Sequence, residues 1–381
     1  MLQFTAFTTY IVLTGFCVFF AVKLTLTFRR FRMRILATDV RTLQDLPSVS
    51  VCIPARNETH AMTECLERVV ASTYPKLEII VLDDSSVDDT SVLIKSFAHA
   101  GVRFVEGSPC PEGWLGKNHA LETLRKEASG TFILYMDVDT QIEPDTIGQL
   151  VAYIAHEKAD MTSILPLRMD NWRLSVIFSG LRYFWTLILH TRATPAVASN
   201  AWLVNRQVLD QSIGGFEKHR LDVQPEAHVA AQLVKSNTYR FLVSTPLLGL
   251  SYEKRYSSFV ETNIRVLYPM SGGTFMTGGL GLLVLLVLCS PLFILSAGLV
   301  SGWTLYQTIA LWQLLLFGGI YAVYLSYVWR RGWWLGLILW PVALLQDTVL
   351  FVMSILKYST GTVTWKGRPV APPRVAHIVE Q

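Results

Sequence analysis

Phe132-Ile133-Leu134-Tyr135-Met136-Asp137-Val138-Asp139 is the stretch from which the rest of the chain can be read. With Thr131 ahead of them, the five apolar residues, aromatic and β-branched among them, predict a short buried strand from Thr131 to Met136. Two carboxylates alternate directly past its end. That spacing lets one or both reach a hard cation that keeps some of its waters and bridges phosphate oxygens. An Asp-x-Asp triplet alone is common, so its value rests on what surrounds it.

Upstream, Leu77 to Leu82 predicts a second strand, again ending on acids, Asp83 and Asp84. Ser48 to Ile53 and Val102 to Val105 predict two more. Between them Met62, Cys65, Leu66, Val69 and Val70 recur at helical spacing, and Asp88 to Ala98 and Lys117 to Ala128 are predicted helices. Pro144 suits the first turn of another. Strands alternating with helices from Pro47 to about Ser244 predict a mainly parallel, Rossmann-like α/β sheet. In such a sheet ligands bind beyond the carboxyl ends of the strands, where both acidic pairs fall. Asp88 and Asp89 are read as turn and cap residues. The chain has no GxGxxG and no Walker loop, so dinucleotide and phosphate-loop readings lack their fingerprints.

Three ordered segments, Val49 to Glu58 (VSVCIPARNE), Val81 to Ser86 (VLDDSS) and Met136 to Thr140 (MDVDT), together resemble family 2 glycosyltransferases, whose catalytic domain has the GT-A fold. Gly113 to Asn118 (GWLGKN) and Thr364 to Arg368 (TWKGR) resemble the membrane branch that includes carotenoid, hopanoid-associated and ceramide glycosyltransferases. The resemblance implies that Pro54, Arg56 and Glu58 line a nucleotide site and that Asp84 contacts the base or ribose. It implies that Asp137 and Asp139 bind the diphosphate of a nucleotide-sugar donor, a UDP-sugar being expected, through Mg²⁺ or Mn²⁺. Lys117, at a helix start beyond a glycine-containing loop, is placed to meet a phosphate; the plainer alternative is a solvated helix residue.

The base that takes the acceptor proton is, by the resemblance, the Asp of a Glu-Asp pair after Gly-Gly-Phe. Gly214-Gly215-Phe216 is present, but the pair falls at Glu226-Ala227. Three readings stand: Glu226 has taken over the role, Asp222 supplies it, or transfer is lost. Glu226 after Pro225 also suits an ordinary first-turn helix acid, and His228 is a further base by its titration range. Of the Gln-x-x-Arg-Trp motif only the arginine remains, Arg265 in Thr262 to Val266. Arg255 and Arg265 are expected on the diphosphate or, alternatively, as membrane-interface anchors. The missing tryptophan weighs against a polysaccharide synthase, and Ala227 keeps a non-catalytic nucleotide-sugar-binding protein in view.

The 381 residues are 51% hydrophobic, and the mean hydropathy of +0.37 is too high for an ordinary soluble protein. Met1 to Val22 carries no charge and is long enough to span a bilayer. Arg29, Arg30, Arg32 and Arg34 follow it and place the soluble domain in the cytoplasm, as an integral protein of a bacterial plasma membrane. The same cluster accounts for a net charge of +4, so no nucleic-acid partner is implied. Five scattered cysteines are read as reduced packing residues.

Val266 to Trp329 contains no charged residue or histidine and predicts two membrane helices with a turn near Ser301-Gly302. Arg330 and Arg331 follow, then a third span from Trp334 to Leu356. Simple counting puts the tail outside the cytoplasm, yet it carries Lys357, Lys366, Arg368 and Arg374, against the charge rule. A re-entrant or interfacial segment around Trp340-Pro341 would remove the conflict. Asp347 is expected to face protein or water. The apolar stripe from Trp172 to His190 and the aromatic-basic run from Tyr252 to Tyr268 suit helices at a lipid surface or buried in protein. They favour a lipid acceptor. The expected organisation is an anchor at 1–28, a basic linker at 29–46, the GT-A domain at 47–250, an interfacial segment at 251–270, membrane helices at 271–357 and a basic tail at 358–381.

Overall fold

The computed structural model describes residues 2–31, 45–169, 181–302, 304–329 and 332–370. Arg32, Arg34, Trp172, Arg173, Arg330, Arg331 and Arg374 lie outside the described residues.

Helix α1 (Leu2–Phe31) runs three residues past the expected anchor and ends on Arg29 and Arg30. The α/β domain follows as β1 (Val49–Ala55), α2 (Thr59–Val70), β2 (Leu77–Asp83), α3 (Thr90–Ser96), β3 (Val102–Glu106), α4 (Gly116–Glu127) and β4 (Phe132–Met136). It continues with β5 (Thr140–Gln141), α5 (Thr146–Glu157), β6 (Met161–Leu165), β7 (Leu167–Arg168), α6 (Leu181–Leu189), β8 (Ala201–Asn205), α7 (Pro225–Lys235), β9 (Tyr239–Val243) and β10 (Ser251–Tyr252). The C-terminal part is α8 (Tyr256–Met270), α9 (Phe275–Ser301), α10 (Leu305–Val328), α11 (Leu335–Ser359) and a hairpin of β11 (Thr364–Trp365) and β12 (Arg368–Pro369).

Seven strands form one sheet in the order β3-β2-β1-β4-β8-β6-β9. All neighbours are parallel except those of β8, which runs against β4 and β6. The order reverses at β1, between β2 and β4, so the ends of those three strands open one crevice. Their near-continuous burial fits a sheet covered on both faces. One face packs on α2 and α5 through Met62, Cys65, Leu66, Val69, Leu150 and Ile154. The other packs on α4 and α6 and runs on into the helical bundle without a break. A three-stranded sheet, β5-β10-β7, brings Glu253 and Lys254 beside the end of β4.

Pro144 sits ahead of α5 rather than in its first turn, and Asp145 holds the cap position. Asp88 is the capping group ahead of α3, accepting from the Thr90 amide at 3.1 Å and the Thr90 hydroxyl at 2.6 Å. Those bonds and others from Thr59 overcome partial burial and hold its carboxyl at about 2.

Tyr10–Phe31, Phe275–Gly298, Leu305–Val328 and Leu335–Ser359 are each long and apolar enough to cross a membrane. Aromatic contacts knit them to the α/β domain. Phe184 on α6 meets Phe20, Tyr321, Tyr324 and Trp340, so the described half of the Trp172 to His190 stripe is buried between domain and bundle. Asp347 faces protein, accepting from the Trp185 indole nitrogen at 2.6 Å.

Helix α11 is continuous through Pro341. Its first turn touches Leu325 and Tyr321 near the end of α10, which itself abuts Arg168 and Tyr252 of the α/β domain. Its last turn reaches the same domain's pocket, where the Tyr358 hydroxyl donates to the Arg265 carbonyl at 2.6 Å. The hairpin that follows α11 therefore lies against the α/β domain.

Candidate active site

The ends of β1 and β2 are tied together before any side chain is considered. Asp84 N–H donates to the Ala55 carbonyl, and Asn57 and Ser85, just past the two strands, take left-handed backbone with φ of 52° and 55°. Strain of that kind in non-glycine residues concentrates where a site over-determines the backbone. Arg56 follows Pro54 at the β1 end and donates to the carbonyls of Asp84 at 2.5 Å and Ser85 at 2.9 Å. Asp84 is 4% exposed; burial raises its pKa above the ordinary aspartate value while Arg368 pulls it back.

At the β4 end Lys117, in the first turn of α4, donates to Asp137 Oδ1 at 2.6 Å. Asp139 Oδ2 lies 3.4 Å from Lys254 Nζ. Asp139 Oδ1 is buried with no hydrogen-bond partner among the described residues. A buried carboxylate oxygen left unpaired is costly, and here it stands beside a second carboxylate. That donor set, all oxygen, fits a hard divalent cation.

The crevice widens into a cavity that is open to solvent. Pro54, Arg56, Glu58, Asp84, Lys117, Asp137, Asp139, Arg255 and Arg265 all line it, so every nucleotide- or metal-site residue expected from the sequence falls in one place. Six carboxylates and six lysine or arginine side chains are on its wall. With opposite charges balanced, a diphosphate would bring uncompensated negative charge unless a cation accompanied it.

Helix α8 supplies Ser258, Glu261, Thr262 and Arg265 to that wall. Arg265 is buried, its pKa lowered first by desolvation, and its guanidinium lies 5.0 Å from the centre of the Trp365 ring. The C-terminal hairpin closes the remaining side. Lys366 pairs with Glu58 and donates to the Arg56 carbonyl, while its amide donates to Glu261 Oε1 at 2.7 Å. Burial raises the Glu58 pKa, with Lys366 acting against it. Arg368 Nη1 contacts both Asp84 oxygens, at 2.9 and 2.7 Å. Gly116 makes room for this pair, since a Cβ there would meet Arg368 at 3.0 Å and Asp84 at 3.2 Å.

The two base candidates lie elsewhere. Glu226, in the first turn of α7 after Pro225, is 1% exposed and accepts from the Ser199 hydroxyl at 2.5 Å. Ser199 in turn receives Gln224 and Arg182, both at 3.4 Å. Asp222 faces His219 and His228. Neither carboxylate lines the cavity. Sequence reasoning missed His60, Glu253, Lys254, Glu261, Trp365 and Lys366 as cavity residues. The Thr364 to Arg368 motif was the one available signal, and it carried no position.

Residues 50–185 match the family described as Glycosyl transferase family 2. The chain is 33% identical over 133 residues to a probable glycosyltransferase, YdaM, of Bacillus subtilis (strain 168), covering 34% of this chain and 31% of that protein. It is 25% identical over 134 residues to the undecaprenyl-phosphate 4-deoxy-4-formamido-L-arabinose transferase of Sodalis glossinidius (strain morsitans), covering 34% of this chain and 41% of that one. The matched stretch thus spans well under two thirds of these relatives. A mannosyltransferase of Pyrobaculum calidifontis, solved in complex with GDP-Man and Mn²⁺, superposes with a TM-score of 0.60 at 20% identity, over 92% of this chain and 99% of that one. That likeness shows a shared fold over nearly the whole chain, with the α/β domain of the GT-A type.

Proposed function

Taking residues 50–185 as a family 2 glycosyltransferase domain, we propose that the protein transfers a hexosyl group from a nucleotide diphosphate sugar to a lipid hydroxyl with inversion. The observation that carries this is the unpartnered Asp139 oxygen beside Asp137 in a charge-balanced cavity. Asp137 and Asp139 would hold Mg²⁺ or Mn²⁺, and a bound cation supplies charge neutralisation to the leaving diphosphate. The GDP-Man and Mn²⁺ of the Pyrobaculum enzyme support that assignment.

In a single displacement the acceptor oxygen bonds to the anomeric carbon as the bond to the diphosphate breaks. The electron pair leaves with the nucleoside diphosphate. Lys117, Arg255 and Arg265 bind and orient those phosphate oxygens. Asp84 takes the base or ribose after exchanging its contact with Arg368. Glu226 receives the acceptor proton, held by the Ser199 hydroxyl until the acceptor is in place.

A lipid acceptor is favoured because α8 forms one wall of the cavity and packs its other side on the apolar α11. A hydroxyl presented at that seam enters without leaving the lipid surface. The undecaprenyl-phosphate substrate in the Sodalis relative's name supports the same class. The Arg29-Arg30 end of α1 supports a cytoplasmic catalytic domain in a bacterial plasma membrane.

Burial of Glu226 and Ala227 in place of an aspartate favour a second reading, donor binding without turnover. Nucleotide release from UDP- and GDP-sugars, measured with purified protein, lipid extract and Mn²⁺ or Mg²⁺, separates the two. Turnover that needs lipid and is lost in Asp139→Ala and Glu226→Gln establishes the transferase. Turnover on water-soluble acceptors alone overturns the lipid assignment. Metal-dependent donor binding without release in any lipid favours the second reading.

A further inference from the structure

Among the described residues, apart from the donor cavity, one group of side chains is arranged as metal ligands. His219, Asp222 and His228 each bring a ligand atom within 4.8 Å of the other two. Asp222 Oδ2 lies 2.7 Å from His219 Nδ1 and 3.1 Å from His228 Nε2, and the two imidazoles stack with centroids 4.3 Å apart and planes 15° from parallel. Three donors from two chain segments thus converge on one point.

We propose that His219, Asp222 and His228 form a second divalent-cation site, selective for Zn²⁺ or a similar borderline metal and separate from the all-oxygen pair Asp137 and Asp139.

Ligand chemistry sets the selectivity. Two imidazole nitrogens and one carboxylate oxygen make a tetrahedral zinc set with the fourth position left for water, whereas Mg²⁺ prefers oxygen donors throughout. Bonds of about 2.0–2.2 Å in a tetrahedron place ligand atoms roughly 3.2–3.6 Å apart. The two Asp222 contacts need to open by up to about an ångström, and because the imidazoles are stacked at least one ring has to turn before both nitrogens face one ion, a side-chain adjustment rather than a loop rearrangement.

The backbone is set for it. Asn118 Nδ2 donates to the carbonyls of His219, Arg220 and Asp222 at 2.9, 3.2 and 2.8 Å, and Leu115 N–H donates to the Arg220 carbonyl at 2.9 Å. His228 stands on the regular helix α7. Its side chain is 51% exposed, which leaves a path for the ion.

Such a cation would pin the loop after Gly214-Gly215-Phe216 to α7. Glu226 lies between the ligands in sequence but is turned into the protein interior while His228 faces out. The metal would brace the turn that carries Glu226 without touching its carboxylate. The inference rests on this loop's geometry and stands whether or not the transferase reading holds.

The test is Co²⁺ titration of the EDTA-treated full chain in detergent, followed by visible absorption and by the thermal unfolding temperature. Tetrahedral nitrogen-oxygen Co²⁺ absorbs strongly, and an octahedral oxygen site absorbs weakly. One equivalent of strong absorption is expected, displaced by Zn²⁺, kept in Asp139→Ala and lost in His228→Ala, an exposed position that leaves the fold intact. Zn²⁺ should raise the unfolding temperature of the unsubstituted protein and of Asp139→Ala but not of His228→Ala. No strong band, a band that survives His228→Ala, or a band lost in Asp139→Ala would overturn the proposal.

Discussion

The free oxygen of Asp139 and the paired oxygen of Asp137 sit one residue apart, and only the first lacks a partner among the described residues. Removing the free one should leave the fold nearly untouched while taking away a charge meant for a ligand. A bound divalent ion is worth several kcal/mol to a leaving diphosphate, at about 1.4 kcal/mol per factor of ten. Asp139→Ala should therefore lower turnover by about 10²–10³-fold, read in the nucleotide-release assay, with the unfolding temperature in metal-free buffer unchanged or raised. Glu226→Gln keeps the Ser199 bond's acceptor but removes the base. It should cost about 10²–10⁴-fold in kcat with little change in donor KM; a larger effect on KM would point to a packing role. The residues legible in the sequence were those with a local signature. Asp84, Asp137 and Asp139 end predicted strands, and Arg56 and Lys117 sit in short motifs. Glu253, Lys254 and Glu261 have none, because what makes them cavity residues is the pairing of β5 with β10 and the docking of α8, both set by tertiary packing.

Strands β1 to β4 and helices α3 and α4 were legible to within two residues at each end, since each carries its own periodicity, whereas beyond β4 the alternation of strands and helices was legible without its bounds. The placement of α8, α11 and the hairpin was not legible. Apolar sequence gives length, and the neighbours decide direction. Gly318 on α10 shows how close those neighbours are, because a Cβ there would fall inside contact distance of the Leu337 carbonyl on the facing helix. Gly318→Leu should destabilise the bundle by about 1–3 kcal/mol, read as a lower unfolding temperature in detergent. The hairpin is held from the other side by Asp84. Since burial raises that carboxyl above its ordinary value, it takes up a proton at higher pH than an exposed aspartate, and the folded state gains protons first as pH falls. The sign is that mild acid discharges Asp84 and loosens Arg368. Amide hydrogen exchange across the hairpin, corrected for its intrinsic pH dependence, should show falling protection as pH drops toward the carboxylate range. Arg368→Gln should show that loss of protection already at neutral pH.

Across the whole molecule, the chain leaves the catalytic domain through α9, returns through α10, and comes back to the same domain at the end of α11. A tag placed after Gln381 should therefore be accessible from the side that exposes the catalytic domain, and protected in vesicles of the opposite orientation. Protection in step with residues beyond α9 would contradict this path. The tail's positive charge and the count of apolar stretches point to opposite sides, and the tag decides between them, because hydropathy measures how long a helix is and never where its second end lies. The path also fixes an order of manufacture. A ribosome that has released residues up to the end of α11 has made strands, acids and bundle, but the wall carrying Trp365 and Lys366 is still within its exit tunnel. The cavity is completed only after the hairpin has emerged, so a nascent chain made as far as α11 carries its acids and no finished pocket.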